Sequence, residues 1–389
     1  MIALKIAIID DFKFEGWYTW KLVNSLRKYL SSKDMLYLYA PKIKANIITT
    51  QASGKMVFKY IWSKYSLLCV LRHLIHDKID VLHVQFEFDT FGLIQSFLNL
   101  PLVLFLAKFI LGKKVIVTLH GPIFPKNKHK EICYLINSTS KIKAYLFILF
   151  TILVYKLIDI SSDIIIVHAK VFKEWLRSWH ILKTLVIPHG VEIDYSGKSK
   201  DKQRKKFTIL YFGVFSPRKG IEYLIDAYTL FKREVHNSIL ILAGGPSKFY
   251  PKYYLKIVHR VSEDKSPDIL ITGPIKEAYV QKLFRIADVI VLPYVVAYSA
   301  SGPLSLAIGY GRPIIISSLE YFNEILSCKE VIFVPPKDSD ALFNALKRVY
   351  KDDTLRESLI KFIRKKAEIY SWDVVAKRTL CLYRRIVRE

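Results

Sequence analysis

The chain is poor in cysteine and in acid. Its 389 residues hold four cysteines, Cys69, Cys133, Cys328 and Cys381, far apart and with no CxxC pair. That spacing argues against a zinc site and against a small disulfide-stapled scaffold, and it fits a reducing cytoplasm. Asp and Glu number 34 against 60 Lys and Arg, a formal charge of +26, which attracts nucleic acid, anionic lipid or phosphorylated small molecules alike. The basic residues are dispersed, and there is no zinc-finger spacing, no aromatic RNA-binding signature and no helix-turn-helix, so specific nucleic-acid binding has charge as its sole support. A signal peptide is not expected either. The apolar run in MIALKIAIIDD is too short for one and reads as a buried strand, and in a cytoplasmic chain the sequon Asn137-Ser138-Thr139 carries no weight.

What is present is an alternation of short apolar runs with helical patterns. Leu4–Ile9 is strand-like, Gly16 follows, and Leu22, Val23, Leu26, Tyr29 and Leu30 fall on one helical face. Further strands are expected at 81–84, 115–119, 163–167 and 184–187. After the polar stretch SGKSKDKQRKK the alternation restarts at 208–212, 239–243, 269–272, 288–292, 313–316 and 331–334. This order predicts an α/β fold of two Rossmann-like, doubly wound parallel-sheet domains facing a cleft. The expected divisions are 1–195, a linker at 196–206, and 207–372, with a C-terminal helix at about 373–389 packing back on the first domain.

The second half opens on FTILYFGVFSPRKGIEYLIDAYTLF, Phe207 to Phe231. An apolar run ends at Gly213, Arg218-Lys219-Gly220 follows, and Ile221, Leu224, Ile225 and Tyr228 recur at helical spacing. Strand, turn and helix in that order aim backbone N–H groups and the positive end of a helix dipole at one point, where two cations suit a diphosphate. The competing reading is a surface turn carrying two basic residues of a Lys/Arg-rich chain.

Two segments are unusually apolar: Ala144 to Tyr155, and Leu93 to Leu111, the latter interrupted by Asn99, Pro101 and Lys108. The twelve residues of the first fall short of the roughly 20 that cross a bilayer. Either it is a fully buried helix, or it lies on an anionic membrane beside Lys126, Lys128, Lys130, Lys141 and Lys143.

FGVFSPRKGIEYLIDAY, ILAGGP at 241–246, ITGPI at 271–275, ADVIVLPY at 287–294 and GYGRPIIIS at 309–317, with VTLHG at 117–121 and VIPHGVE at 186–192 before them, resemble in order and spacing the retaining glycosyltransferases of group 1, or family 4, which have the GT-B fold. The resemblance implies transfer of a sugar from a nucleotide-diphosphate sugar, with no cofactor and no metal, to a glycan, lipid-linked or other acceptor. It implies catalytic roles for His120, Arg218 and Lys219, and a donor site of Gly16, Gly213, Arg218, Lys219, Ile275, Ser301, Gly302 and Glu324. Glu87 falls on the acceptor side, and His189 reads as hinge structure. With the apolar helix, the expected place of work is the cytoplasmic membrane face, the protein being peripheral there.

Two departures stand out. The family's pair of glutamates eight positions apart is replaced by Tyr298 and Leu306, and the usual arginine after the loop glycine by Val214. YSASGPLSLAIGYGRP is instead similar to a subgroup with Ser-Gly in place of the acids, as is VQFEFDTFG at 84–92. An inactive sugar-nucleotide-binding protein and a nucleic-acid-binding protein are the alternatives to an enzyme.

Overall fold

The computed structural model describes residues 3–10, 18–41, 55–62, 67–87, 99–122, 140–194, 206–263 and 268–389. The chain forms two units. The first comprises Met1–Phe124, Tyr145–Gly190 and Trp372–Glu389, the second Pro125–Ala144 and Val191–Ser371.

The first unit is built on seven parallel strands, β1 (Lys5–Ile9), β2 (Met35–Pro41), β3 (Met56–Trp62), β4 (Val81–Phe86), β5 (Lys114–Leu119), β6 (Ile164–Val167) and β7 (Thr184–Val186), ordered β3-β2-β1-β4-β5-β6-β7. The second holds six, β8 (Phe207–Phe212), β9 (Ser238–Ala243), β10 (Ile269–Ile271), β11 (Val289–Leu292), β12 (Ile314–Ser317) and β13 (Ile332–Val334), ordered β10-β9-β8-β11-β12-β13. Helices cover both faces, so the central strands are buried throughout: every residue of β4 and of β11 is buried. In each sheet the strand order reverses once, between β1 and β4 and between β8 and β11. A crevice opens at the carboxyl ends of such a pair.

All six strands expected in the second half are present. The first sheet has two more than expected, β2 and β3. In MLYLYAP tyrosines alternate with leucines instead of forming a solid apolar run, and β3 is an edge strand whose residues are largely half-buried.

The chain passes from one unit to the other at Gly190–Val191 and returns at Ser371–Trp372, so the first division falls ahead of 195; residues 195–205, and Gly16, lie outside the described residues. The helix Trp372–Arg388 buries Val375, Ala376, Leu380, Tyr383 and Ile386 in the same core as Leu22, Leu26, Leu36 and Leu38. Gly190 lies flat against the Trp372 indole, and a Cβ there would sit 2.3 Å from Cδ2.

The apolar run 144–155 is the middle of a longer helix, Lys141–Ser161, and its twelve residues understated the element. With 21 residues and a mean hydropathy of 1.8 over 18 of them it is long and apolar enough to cross a membrane, yet a third of that window is buried inside the unit. It connects the neighbouring strands β5 and β6. Ala144, Thr151, Val154, Tyr155 and Ile158 turn inward while Ile142, Tyr145, Leu146, Leu149, Leu153 and Ile160 are exposed. Phe147 and Phe150 are half-buried and stack at 6.5 Å. The preceding crossover, from β4 to β5, contains Leu100–Phe105 continuing into a wider turn at Leu106–Ile110, and exposes Leu102, Phe105, Phe109 and Ile110. Consecutive right-handed crossovers between strands adjacent in one direction lie on one face of the sheet. Lys108 ties the two together by donating to the Ser162 carbonyl at 2.5 Å.

Gly190→Ala is expected to cost about 1–3 kcal/mol through overpacking against the indole, lowering the thermal midpoint by several degrees. Trp372→Leu in the same background should recover part of it. A midpoint equal to the parent's would contradict this packing.

Candidate functional site

In the second unit the two segments that leave β8 and β11 fold onto each other at the point where strand order reverses. Gly213 ends β8 at φ 145°, and Gly244 at the end of β9 is so close behind it that a Cβ would lie 2.0 Å from the Gly213 carbonyl oxygen. The turn Pro217–Lys219 then leads into the helix Ile221–Glu234. Gly220 joins them at φ 62°, with room for no Cβ because the Pro293 carbonyl oxygen would be 2.2 Å away. From the other side the Val295 N–H donates to the Arg218 carbonyl at 2.8 Å.

This clamp places Lys219 Nζ 3.5 Å from the centre of the Tyr294 ring and the Arg218 guanidinium 4.9 Å from that of Tyr298. Lys219 is 5% exposed. Burial, and then the neighbouring Arg218, hold its ammonium well below the ordinary lysine range, with no carboxylate acting in the opposite sense. Among the described residues neither cation has an ion-pair partner. Cation–π contact offsets up to about 2 kcal/mol in a desolvated setting, less than the several kcal/mol that burial of an ion costs. An anion at this point would supply what is missing.

Tyr294 also reaches Ser301, hydroxyl to hydroxyl at 3.1 Å, and Ser301 Oγ accepts from the Leu304 N–H as the cap of the helix Gly302–Gly309. Ser301 is thus buried and engaged as a cap, whereas Gly302 at the first helical position is exposed with open space beside it. Gly213, Arg218, Lys219, Ser301 and Gly302 are brought together. Ile275 is half-buried just ahead of the helix Glu277–Ile286. Glu324 is exposed on the short helix Glu320–Ile325. Val214 is 48% exposed and adds no charge. Tyr294 was missed as a site residue in the sequence; its position at the end of ADVIVLPY, two residues past the strand β11, was the available signal.

In the first unit His120 follows β5 and Glu87 follows β4, the latter exposed. His120 uses both ring nitrogens within the protein: Nε2 is 2.9 Å from Gln85 Oε1 and Nδ1 is 3.1 Å from His168 Nε2. His168 Nδ1 donates to the Ile187 carbonyl at 2.9 Å. On the far side Gln85 Nε2 lies 3.2 Å from His83 Nε2, which is 2.7 Å from Thr118 Oγ1, and His83 Nδ1 is 2.6 Å from the Tyr383 hydroxyl. His189 joins through its ring, 5.6 Å from His168 and 5.8 Å from Trp372, and Tyr18 lies edge-on to His120 at 4.5 Å. Gln85 and His168 went unnoticed in the sequence, although alternation along β4 puts Gln85 on the same face as His83. Among the described residues no group of three His, Cys, Asp or Glu side chains is placed to hold a metal ion.

Burial holds His83 and His168 down at about 3, against an ordinary value near 6.5. Below about pH 6.5 the unfolded chain therefore binds protons that the folded one refuses, so stability falls with pH, by up to about 1.4 kcal/mol per pH unit for each histidine. Urea unfolding should show this loss from pH 6.5 down to pH 4, with a shallower slope in His168→Asn. A flat profile from pH 7 to pH 5 would contradict the assignment.

Residues 194–366 match the family described as Glycosyl transferases group 1. An uncharacterized glycosyltransferase of Methanocaldococcus jannaschii is 35% identical over 184 residues, 45% of this chain and 44% of that protein. The phosphatidyl-myo-inositol mannosyltransferase of Mycobacterium leprae is 28% identical over 213 residues, 51% of this chain and 53% of that protein. The chain thus spans about half the length of the curated relatives it matches. Among solved structures the fold is shared along nearly the whole chain with sucrose-phosphate synthase from Thermosynechococcus elongatus (TM-score 0.74, 18% identity, 98% of this chain and 99% of that one). The same holds for Anabaena HepE in complex with UDP and glucose (TM-score 0.70, 14% identity, 97% and 98%). The two parallel-sheet units share the GT-B fold of these structures, and residues 194–366 are similar to the glycosyl transferases of group 1.

Proposed function

We propose that the protein is a glycosyltransferase that takes a sugar from a nucleotide-diphosphate donor and passes it, with retention of configuration, to a glycan or lipid-linked acceptor at the cytoplasmic face of a membrane. The observation that carries this is the pair Arg218 and Lys219 at the β8/β11 reversal, one of them buried, with no carboxylate among the described residues acting on the buried one. As the bond between sugar and diphosphate breaks, negative charge grows on the leaving oxygen. Two fixed cations beside it favour the transition state over the ground state. Gly213 lets backbone approach the phosphates, and the exposed first turn at Gly302 adds N–H groups without adding charge. In this reading side chains supply the neutralising charge without a metal. The relatives' names support transfer of a sugar; a lipid acceptor is suggested by the phosphatidyl-myo-inositol mannosyltransferase.

The membrane location is supported by the two crossover helices of the first unit. Leu102, Phe105, Phe109, Ile110, Leu146, Leu149, Leu153 and Ile160 are all exposed, with exposed Lys141, Lys143 and Lys156 on the second of the two elements. An apolar surface edged by lysines suits anionic lipid. A helix held against its own sheet as a crossover lies on a bilayer and does not traverse it.

Lys219→Ala and Arg218→Ala should each lower turnover on the order of 10²-fold. Tyr298→Glu should lower it too, since a carboxylate at that position would neutralise Arg218. Unchanged turnover in both alanine variants, or a gain in Tyr298→Glu, would overturn the diphosphate assignment.

Anionic vesicles should sediment the protein at low salt, and serine at Leu146, Leu149 and Leu153 should abolish this. Each of these side chains is exposed, so folding should change little. A parent protein that ignores vesicles, or a triple variant that still binds, would remove the membrane from the account.

A further inference from the structure

The hydrogen-bond chain around His120 can be followed proton by proton. Its fixed end is the Ile187 carbonyl, which only accepts, so His168 carries its proton on Nδ1. A neutral His168 then offers a bare Nε2, and His120 Nδ1, 3.1 Å away, must donate to it. A neutral His120 is left with a bare Nε2. That atom faces one end of the Gln85 amide at 2.9 Å, and it needs the NH2 there. The carbonyl end of the same amide then turns to His83, whose Nε2–H also meets Thr118 Oγ1 at 2.7 Å, while His83 Nδ1 accepts from the Tyr383 hydroxyl at 2.6 Å. Each ring nitrogen along the chain then has a partner of the opposite kind. The opposite orientation of the amide, oxygen toward His120, is satisfied only if one extra proton resides on the His120–His168 pair.

The surroundings decide between the two. Among the described residues the ionisable groups that act on His120 are His168, His189 and His83, and with burial all of them push its basicity down, with no carboxylate among them. Tyr18 and Tyr383, the other titratable groups of the cluster, are buried phenols held protonated. Amide oxygen and nitrogen have the same shape, so bonding alone selects which faces which.

We propose that Gln85 is a positioning residue that presents its NH2 to His120 Nε2 and, with His168, holds His120 as a neutral ring protonated on Nδ1. A ring held in this way has no proton to give. With both nitrogens engaged inside the protein, His120 does not serve as a general acid in this state. Its relevance to sugar transfer rests on the function proposed above; the protonation state itself does not.

The test is long-range 15N–1H correlation of the histidine rings in the full chain, with His120→Asn used to identify the signal. Between pH 8 and pH 5.5 the His120 ring should show one protonated nitrogen, Nδ1, one bare nitrogen, Nε2, and no titration. Gln85→Glu replaces the donor by a carboxylate that can only accept, so at pH 7 the His120–His168 pair should gain a proton and one of the two rings should show both nitrogens protonated. A parent His120 carrying its proton on Nε2, or titrating near the ordinary value of about 6.5, would overturn the assignment, and either reading is made without any variant. A folded Gln85→Glu protein whose rings match the parent's would overturn it equally. Because the readout is independent of turnover, a protein that transfers no sugar would still confirm or refute it.

Discussion

A buried ammonium without a counter-ion among the described residues organises the second unit. Lys219 is held by the turn after β8, pressed onto the ring of Tyr294 from β11, and crowded by Arg218. A cation in that position is costly, and the fold maintains it through backbone features that tolerate no side chain: Gly220 against the Pro293 carbonyl, Gly244 against Gly213. The strand order explains why it is found here, since only at the β8/β11 reversal do two neighbouring segments diverge to opposite faces of the sheet and leave a gap.

Much of this was legible beforehand, for identifiable reasons. The strand, glycine and PRKG turn announced themselves because apolar runs and positive-φ glycines are local properties. Six strands of the second sheet could be placed from composition alone because both faces are covered. β2 and β3 could not, being tyrosine-rich and nearer the sheet edge. The role of Tyr298 was equally hidden. As a letter it marks a missing glutamate; in space it lies under Arg218, so the family's acid is replaced by a neutral surface that leaves the guanidinium's charge available. Ser301 carries contacts that its letter did not announce, a helix-cap bond and a hydroxyl contact with Tyr294.

The first unit applies a different principle. Its polar interior is a chain of neutral hydrogen bonds from Tyr383 through His83, Gln85, His120 and His168 to the backbone. The C-terminal helix, last in sequence, thereby supports groups at the ends of β4, β5 and β6. None of this follows from spacing, because it depends on which carboxyl-edge residues meet across the sheet. The outward sides of the crossover helices are apolar for a reason the core does not supply: the sheet consumes only their inner faces.

Calorimetric titration with UDP and UMP tests the central claim most directly, because it asks whether Lys219 and Arg218 receive a diphosphate. UDP should bind more tightly than UMP, Lys219→Met should erase most of that difference, and the affinity for UDP should weaken as pH rises, since the ammonium depressed by burial must be protonated to meet the anion. Equal affinities for the two nucleotides, or a preference for UDP that survives in Lys219→Met, would contradict it.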